Sequence, residues 1–293
     1  GIHSNYEDLL ARTHVNRIAK EITPQKMEER HQRNQKGIAK LSEALYKANL
    51  DVLVMLGDDQ QEYLTDDNMP AFCVYYGEEV DDAPRPGGAR GTLSDPKYAH
   101  RPDGRVSHPT DGSMGEMLID SLVKAEFDVA RSKKLPPGRG GEGTIGHAFY
   151  YVYRRLMDNK VTTNVPVMVN TYYPPNAPTA ARCYKFGQAI GRAIQNWDTS
   201  KRVAIMASGG LSHFVVDEEW DQFSIDAHLN KEVEATGIEP NIMFRSGSSE
   251  TKNWITVAGI LSQTSLEMDL LDYVPCYRTD AGTGNAMAFA YWN

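Results

Sequence analysis

The sequence predicts an α/β fold, with a mostly parallel, twisted sheet, helices on both faces and a single domain over residues 1–293. Short apolar runs typical of buried strands, such as Val52–Leu56 and Val203–Ala207, alternate along the chain with longer segments of helical spacing. With 293 residues and 41% apolar content, the chain can also bury a large core without disulfide bonds.

The elements of the amino-terminal part follow from local signals. A capping threonine and Pro24 begin a long helix that Asn49 ends. The apolar run after it predicts a strand that ends at the acidic corner Gly57–Gln60. After a second strand at 71–76, the segment Gly77–His108 is rich in proline and glycine. Its length and irregularity predict a lid or an interface loop.

The rest of the chain continues the alternation. The expected elements are helix 111–126, strand 127–130, a glycine-rich loop ending at His147, helix 149–157, strand 165–170, helix 179–197, strand 203–207, helices 218–233 and 250–262, and a last strand near Tyr273. This order predicts strands that are joined by helical crossovers, as in a parallel sheet.

Composition narrows the class of function. The formal net charge of −8 and the lack of a long basic run argue against nucleic acid as a partner. Three widely spaced cysteines show no C-x-x-C pattern, so we expect neither a disulfide framework nor a thiolate zinc site. No apolar stretch is as long as a membrane span, and the first residues lack the features of a signal peptide. We therefore expect a cytoplasmic protein with a small-molecule ligand.

The strongest candidate for a catalytic group is His213. It ends the sequence Gly209–His213, directly after the run Arg202–Ser208 that predicts a buried strand. In open α/β sheets, ligands bind at the carboxyl ends of the strands. An imidazole with a near-neutral pKa can exchange protons at this position. A loop histidine with a structural hydrogen bond is the alternative.

Two further places offer oxygen ligands for a divalent metal. Glu250 opens an apolar helix, where the helix dipole also favours an ordinary acidic residue. Asp58, Asp59 and Gln60 follow a strand, where acidic residues are also common turn formers. The residue types alone leave both interpretations open.

Two other motifs are interpreted as structural. Gly138, Gly140 and Gly143 match G-x-G-x-x-G but do not lie at a strand-to-helix turn, so a flexible loop is favoured over a dinucleotide site. Ser212 precedes His213 without the G-x-S-x-G pattern of hydrolases. A hydrogen bond to the local backbone is the favoured role for this serine, and a metal-free hydrolase is the alternative.

Seven motifs span nearly the whole chain: Leu56–Gln60, His108–Pro109, Gly146–Phe149, Pro178–Tyr184, Gly209–His213, Gly247–Glu250 and Gly282–Ala286. In this order they resemble the type III extradiol ring-cleavage dioxygenases. The similarity is greatest to the branch of 3-O-methylgallate dioxygenase and weaker to the catalytic chain of protocatechuate 4,5-dioxygenase. The resemblance implies an iron(II) enzyme that uses dioxygen to open the ring of a carboxylated catechol of the methylgallate, gallate or protocatechuate type.

The resemblance also implies roles for individual residues. His213 falls on the family's acid/base histidine and His147 on a second active-site histidine, while Glu250 falls on the glutamate that binds iron. Gln60 stands where the protocatechuate enzyme has a histidine ligand. We therefore expect Gln60 or Asp59 to complete the metal site, with Asp58 as a further candidate.

Arg182 and Tyr184 are expected to recognise an acidic or methoxylated substrate, with helix packing as the alternative. The family's first histidine ligand lies after an amino-terminal strand, in a Ser-His-x-Pro segment that this sequence lacks. His3 and His14 match what normally follows that segment. We therefore expect a catalytic domain without its first strand.

The substitution at Gln60 also motivates a different class of function. An amide oxygen binds iron more weakly than an imidazole does. The alternative is thus a family member without iron chemistry that acts as a small-molecule-binding or partner subunit. A homo-oligomer is expected, and a small accessory subunit is a further candidate partner.

Overall fold

The computed structural model describes residues 5–13, 15–84, 102–138, 141–234 and 248–293. They form two compact units. The parallel-sheet unit comprises the described residues of 45–209 and 252–263, and the antiparallel-sheet unit comprises those of 1–44, 210–251 and 264–293. His3, His14, Gly140, Gly247 and residues 85–101 of the predicted lid lie outside the described residues. The single domain stays a prediction.

The elements are numbered in chain order. The strands are β1 (Val52–Asp58), β2 (Phe72–Tyr75), β3 (Glu79–Asp82), β4 (Val106–Pro109), β5 (Ala130–Ser132), β6 (Pro137–Gly138), β7 (Gly141–Glu142), β8 (Asn164–Val169), β9 (Val203–Ala207), β10 (His213–Val215), β11 (Met268–Tyr277) and β12 (Thr283–Trp292). The helices are α1 (Tyr6–Arg12), α2 (Val15–Ile18), α3 (Pro24–Lys47), α4 (Gly112–Lys124), α5 (His147–Arg155), α6 (Ala180–Gln195), α7 (Glu218–Leu229) and α8 (Thr251–Leu261), with a 3-10 turn at Ser248–Glu250 before α8.

The central sheet of the parallel-sheet unit has the strand order β5-β2-β8-β1-β9. β1 runs parallel to both of its neighbours, and β2 is also parallel to β5. The pairing of β2 with β8 is antiparallel. All residues of β1 are buried, as expected for a strand covered on both faces. The predicted α/β class with a mostly parallel sheet is confirmed.

Close glycine contacts hold α8 against α6 in the same unit. A Cβ atom on Gly187 would lie 2.0 Å from the carbonyl oxygen of Thr256, and one on Gly259 would lie 2.1 Å from that of Tyr184. Both obstacles are backbone atoms, so a small shift of a side chain cannot remove the clash. The two glycines therefore fix the position of α8, which carries residues of the candidate site.

The antiparallel-sheet unit is built on a three-stranded sheet with the order β10-β12-β11. α3 packs against it, since a Cβ on Gly37 would lie 2.4 Å from the ring of Phe289. Arg33 also binds Asp272 of β11, with its two nitrogens 3.1 and 2.5 Å from the carboxylate oxygens. This unit positions the segment that begins at Gly210.

Several predicted elements need correction. The strand expected at 127–130 lies at Ala130–Ser132, and the predicted lid contains the antiparallel pair β3 and β4. The glycine-rich loop contains the short pair β6 and β7. The last strand near Tyr273 is one half of a long hairpin with β12, and β10 was not expected. Except for β11 and β12, which have ten residues each, these strands are short, and their partners rather than their own patterns define them.

None of the helices in the described ranges is long and apolar enough to cross a membrane.

We expect Gly187→Ala to destabilise the fold because the added methyl group meets a backbone carbonyl. Overpacking of this kind costs about 1–3 kcal/mol, and the higher helix propensity of alanine returns only about 1 kcal/mol. Urea unfolding followed by circular dichroism measures the difference in the free energy of unfolding. Gly104→Ala is the control, because a Cβ there meets nothing within 4 Å. Equal stability of the two variants would contradict the described contact.

Candidate active site

The carboxyl end of β1 places Asp58 in the interior of the parallel-sheet unit. Asp58 is the last residue of the strand and is only 2% exposed. Its Oδ1 lies 3.5 Å from the amide nitrogen of Asn253, which also donates to the carbonyl of Ser208 at 2.9 Å. Asn253 therefore links the ends of β1 and β9 to the first turn of α8.

His147 begins α5 and faces Asp58. Its Nε2 lies 4.0 Å from Oδ2 of Asp58. On the other side of the ring, Oε2 of Glu62 lies 2.7 Å from Nδ1 and accepts the backbone N–H of His147 at 2.7 Å. Because an ionised carboxylate only accepts hydrogen bonds, Nδ1 carries the proton, and in the neutral ring Nε2 holds the lone pair. This is the orientation of many metal-binding histidines.

Two glycines allow this close arrangement. A Cβ on Gly146 would lie 2.7 Å from Oε2 of Glu62, which would displace the carboxylate that holds His147. A Cβ on Gly57 would lie 2.8 Å from that of Ala148, so α5 lies directly against β1. The close contacts therefore explain why a glycine precedes His147 in the motif Gly146–Phe149.

Asp59 and Gln60 differ from Asp58 in their surroundings. The carboxylate of Asp59 is buried, and its Oδ2 accepts the N–H of Leu64 at 3.0 Å. Its Oδ1 is buried without a hydrogen-bond partner. Burial raises the pKa of Asp59 to about 6. Gln60 is exposed. The structure brings Asp58, rather than these two residues, next to His147, and metal binding by Asp59 or Gln60 stays a prediction.

In the antiparallel-sheet unit, His213 lies beside Glu250. Nε2 of His213 is 3.4 Å from Oε2 of Glu250, and the same carboxylate oxygen accepts the N–H of Gly210 at 3.0 Å. Nδ1 of His213 lies 2.9 Å from the carbonyl oxygen of Leu211 and therefore donates to it. A Cβ on Gly210 would lie 2.3 Å from the His213 ring, so glycine is needed there.

A buried carboxylate fixes the residue before His213. Asp221 is 0% exposed. It accepts the backbone N–H and the hydroxyl of Ser212 at 2.7 Å each, and the hydroxyl of Tyr273 at 2.7 Å. Burial raises the pKa of Asp221, and the hydrogen bonds oppose this effect. The network holds the short segment between Gly210 and β10 in one conformation.

The serine and the two predicted substrate-binding residues have structural contacts. The Ser212 hydroxyl accepts the N–H of Asp217 at 2.9 Å, which confirms its predicted bond to the local backbone. Arg182 donates to the carbonyl of Glu126 at 3.2 Å and lies over the ring of Phe127 at 3.9 Å. Tyr184 is buried in α6. Substrate recognition by Arg182 and Tyr184 stays a prediction.

Sequence reasoning missed Glu62 and Asn253. Glu62 lies in the loop after the acidic corner, and no periodic pattern points to it. Asn253 had a weak signal, because it follows Glu250 by three residues and therefore lies near it on one helical face. An amide at that spacing from Glu250 could have been identified.

The donor types fit a divalent transition metal. Imidazole and carboxylate groups are ligands that iron(II) accepts. The carboxylate of Asp58 is almost fully buried, and Oδ1 of Asn253 beside it is buried without a hydrogen-bond partner. Buried charges in proteins are paired or coordinate metals. His147 and Asp58 therefore fit as part of a metal site.

A comparison with protein families gives a match that covers these residues. The family described as "Catalytic LigB subunit of aromatic ring-opening dioxygenase" matches residues 8–282. The chain belongs to this family. The match includes β1, β9, α5 and α8, and thus every residue of the candidate site.

Individual relatives of this LigB family member carry dioxygenase names. The gallate dioxygenase of Pseudomonas putida is 32% identical over 163 residues, which cover 51% of this chain and 45% of that protein. The 2,3-dihydroxyphenylpropionate/2,3-dihydroxicinnamic acid 1,2-dioxygenase of Comamonas testosteroni is 24% identical over 180 residues, or 61% of this chain and 48% of that protein. The chain spans about half the length of these relatives. A solved structure of an uncharacterized protein from Escherichia coli K12 has a TM-score of 0.44, with 13% identity, 80% coverage of this chain and 84% of that one.

We expect Asp59→Asn to stabilise the metal-free protein at pH 8 and to reduce its pH dependence. The folded-state pKa of about 6 exceeds the ordinary value of 3.8 because of burial. The proton on Asp59 thus stabilises the fold fully below pH 3.8, and this stabilisation is lost as the pH rises through about 6. A shift of this size corresponds to up to about 3 kcal/mol. Urea unfolding between pH 4 and pH 8 with a chelator measures it.

The exposed Asp128 supplies the control variant Asp128→Asn. Parallel pH profiles of stability for Asp59→Asn and the unmodified chain would show that Asp59 is not the group responsible.

We expect Asp221→Asn to destabilise the protein by about 1–3 kcal/mol, because an amide nitrogen cannot accept one of the three donated hydrogen bonds. Tyr273→Phe removes a single bond and is expected to cost about 1 kcal/mol. Urea unfolding measures both variants. Nitrogen-15 shifts of the His213 ring report whether Nδ1 still carries the proton. An Asn variant as stable as Tyr273→Phe, with an unchanged ring, would contradict the role of Asp221.

Proposed function

We propose that this chain is the catalytic part of an iron(II)-dependent extradiol dioxygenase, which opens the ring of a carboxylated catechol with dioxygen. Membership of the LigB family supports the reaction class. The names of two relatives specify gallate and 2,3-dihydroxyphenylpropionate, which are both acids with adjacent ring hydroxyls. The substrate class follows from this shared chemistry, with methylgallate, gallate and protocatechuate as the candidates.

The observation that carries the proposal is the matching orientation of two histidines. Each ring has its Nδ1 at a hydrogen-bond acceptor, Glu62 for His147 and Leu211 for His213. Each Nε2 faces a carboxylate, that of Asp58 or that of Glu250. A ring held in this way offers one defined nitrogen for a metal or for a proton.

His147 and Asp58 would hold the iron. Glu250, which the family resemblance implies as a ligand, stays a prediction. Bound iron(II) would supply the redox chemistry for the reaction of a catechol with dioxygen. Gln60 and Asp59 stay predictions as additional ligands.

His213 would act as the acid/base group. Its Nδ1 proton is held by the carbonyl of Leu211, so in the neutral ring the lone pair is on Nε2. Nε2 can take a proton from a substrate hydroxyl and return it later in the reaction. The network of Asp221 and Ser212 keeps the ring in place during both transfers.

Two further expectations complete the proposal. A cytoplasmic location stays a prediction. A homo-oligomer, with or without a small accessory subunit, stays a prediction.

Oxygen uptake after anaerobic loading with iron(II) tests the function, with gallate, 3-O-methylgallate, protocatechuate and plain catechol as substrates. We expect uptake that requires iron and favours the carboxylated catechols. His213→Ala should lower the turnover rate at least 100-fold, about the contribution of one acid/base group, and should keep its iron. His147→Ala should lose iron, as measured by metal analysis after gel filtration.

His31→Ala is the control, since His31 is an exposed histidine of α3. Retention of iron by His147→Ala with loss of turnover would favour the predicted role of His147 as a second catalytic histidine. Iron binding or catechol binding without oxygen uptake would favour a binding or partner subunit instead.

A further inference from the structure

Phe214, the residue after the proposed acid/base histidine, has an unusual backbone conformation. Its φ is +61°, in the left-handed region, which is a rare conformation for a bulky side chain. The side chain is 66% exposed, more than any other large apolar residue in the described part of the chain. Burial therefore does not explain why a phenylalanine stands here. Asparagine or glycine would adopt the same backbone at lower cost.

The positive φ places two aromatic rings together. In a regular strand, adjacent side chains point to opposite faces of the sheet. Phe214 nevertheless lies next to His213, with ring centroids 6.4 Å apart and planes at 76° to each other. On the partner strand, Phe214 pairs with Gly284, whose φ of +156° also departs from an ordinary strand. The distortion thus involves both strands and fixes the ring of Phe214 at the edge of the imidazole.

The geometry points to Phe214 as a specificity-determining residue, whose ring forms an apolar wall against the aromatic ring of the substrate beside His213. The inference rests on the proposed function and deepens it. A planar aromatic ligand gains from packing against an aromatic side chain, in addition to the burial of apolar area. Strained residues of this kind cluster at active sites and ligand-binding sites. The position of the wall would determine which ring substituents next to the reacting hydroxyls are accepted.

Phe214→Asn tests the inference because it should affect stability and binding in opposite directions. Relief of the backbone strain should stabilise the protein, and loss of the ring should weaken the binding of the substrate. The thermal midpoint of the metal-free protein should rise by about 2 °C, since asparagine tolerates a positive φ. Anaerobic calorimetry with gallate and iron(II)-loaded protein should show at least a tenfold weaker binding constant. Phe214→Tyr keeps the ring and should bind gallate within about twofold of the unmodified chain.

Phe223→Ala is the matched control, because Phe223 is also an exposed phenylalanine and lies on α7 of the same unit. It should leave the binding of gallate unchanged. The relative kcat/KM for gallate, 3-O-methylgallate and protocatechuate gives a second measure. Phe214→Leu should change this ranking, whereas Phe223→Ala should not.

The outcomes separate this inference from the proposed function. Gallate binding and substrate ranking that are unchanged in Phe214→Asn and Phe214→Leu would overturn the inference, even if the enzyme is active. A lower thermal midpoint of Phe214→Asn would also overturn it, because the residue would then be structural. Weaker binding in Phe214→Asn with no oxygen uptake by the unmodified chain would refute the proposed function and support the apolar wall. No binding of any of the catechols by the unmodified chain would overturn both.

Discussion

The burial of β1 between β8 and β9 is the constraint on which the parallel-sheet unit depends. A strand with parallel neighbours on both sides and no exposed residue must end in surroundings with little water. Asp58 at its last position is therefore a carboxylate that solvent cannot stabilise. An isolated buried charge costs far more than a fold of this size can offset. Polar groups from other elements must approach it, and His147 and Asn253 do so.

The same constraint explains the small residues around the carboxylate. Charged groups are effective partners only at short range, so the helix with His147 must come close to β1. Gly57 permits this contact, and Gly146 leaves room for Glu62 on the other side of the imidazole. Gly187 and Gly259 do the same for α8 with Asn253. The glycines therefore allow the close approach of the polar side chains at the site, although they have no side chain that could take part in a reaction.

The parts of the fold that the sequence predicts are those with a local cause. The proline at position 24 and the asparagine at position 49 delimit α3 almost to the residue, and the apolar runs locate β1, β8 and β9. β10 and β12 have no such local cause. Their pairing places Phe214, which has a positive φ, opposite Gly284. Only the partner strand makes this conformation stable. Local patterns do not contain that information.

The candidate site was predictable to a similar extent. His213 and Glu250 follow from their positions after a strand and at a helix start, and they lie beside each other. The choice among the acidic residues after β1 was not predictable. Asp58 and Asp59 are adjacent, and only the end of the strand decides that Asp58 faces His147 while Asp59 binds the loop at Leu64. Glu62 accepts a hydrogen bond from His147, which lies 85 residues further along the chain. No spacing rule indicates a contact at this distance in the sequence.

The two histidines differ in one respect that bears on their roles. Nδ1 of His147 donates to a carboxylate, and Nδ1 of His213 donates to a backbone carbonyl. A negative acceptor makes the other nitrogen of the ring more basic and a stronger metal ligand. The neutral acceptor of His213 fixes the tautomer without this charge, so that in the neutral ring the lone pair is on Nε2, where an acid/base group needs it. The pattern of acceptors therefore favours His147 for the metal and His213 for proton transfer.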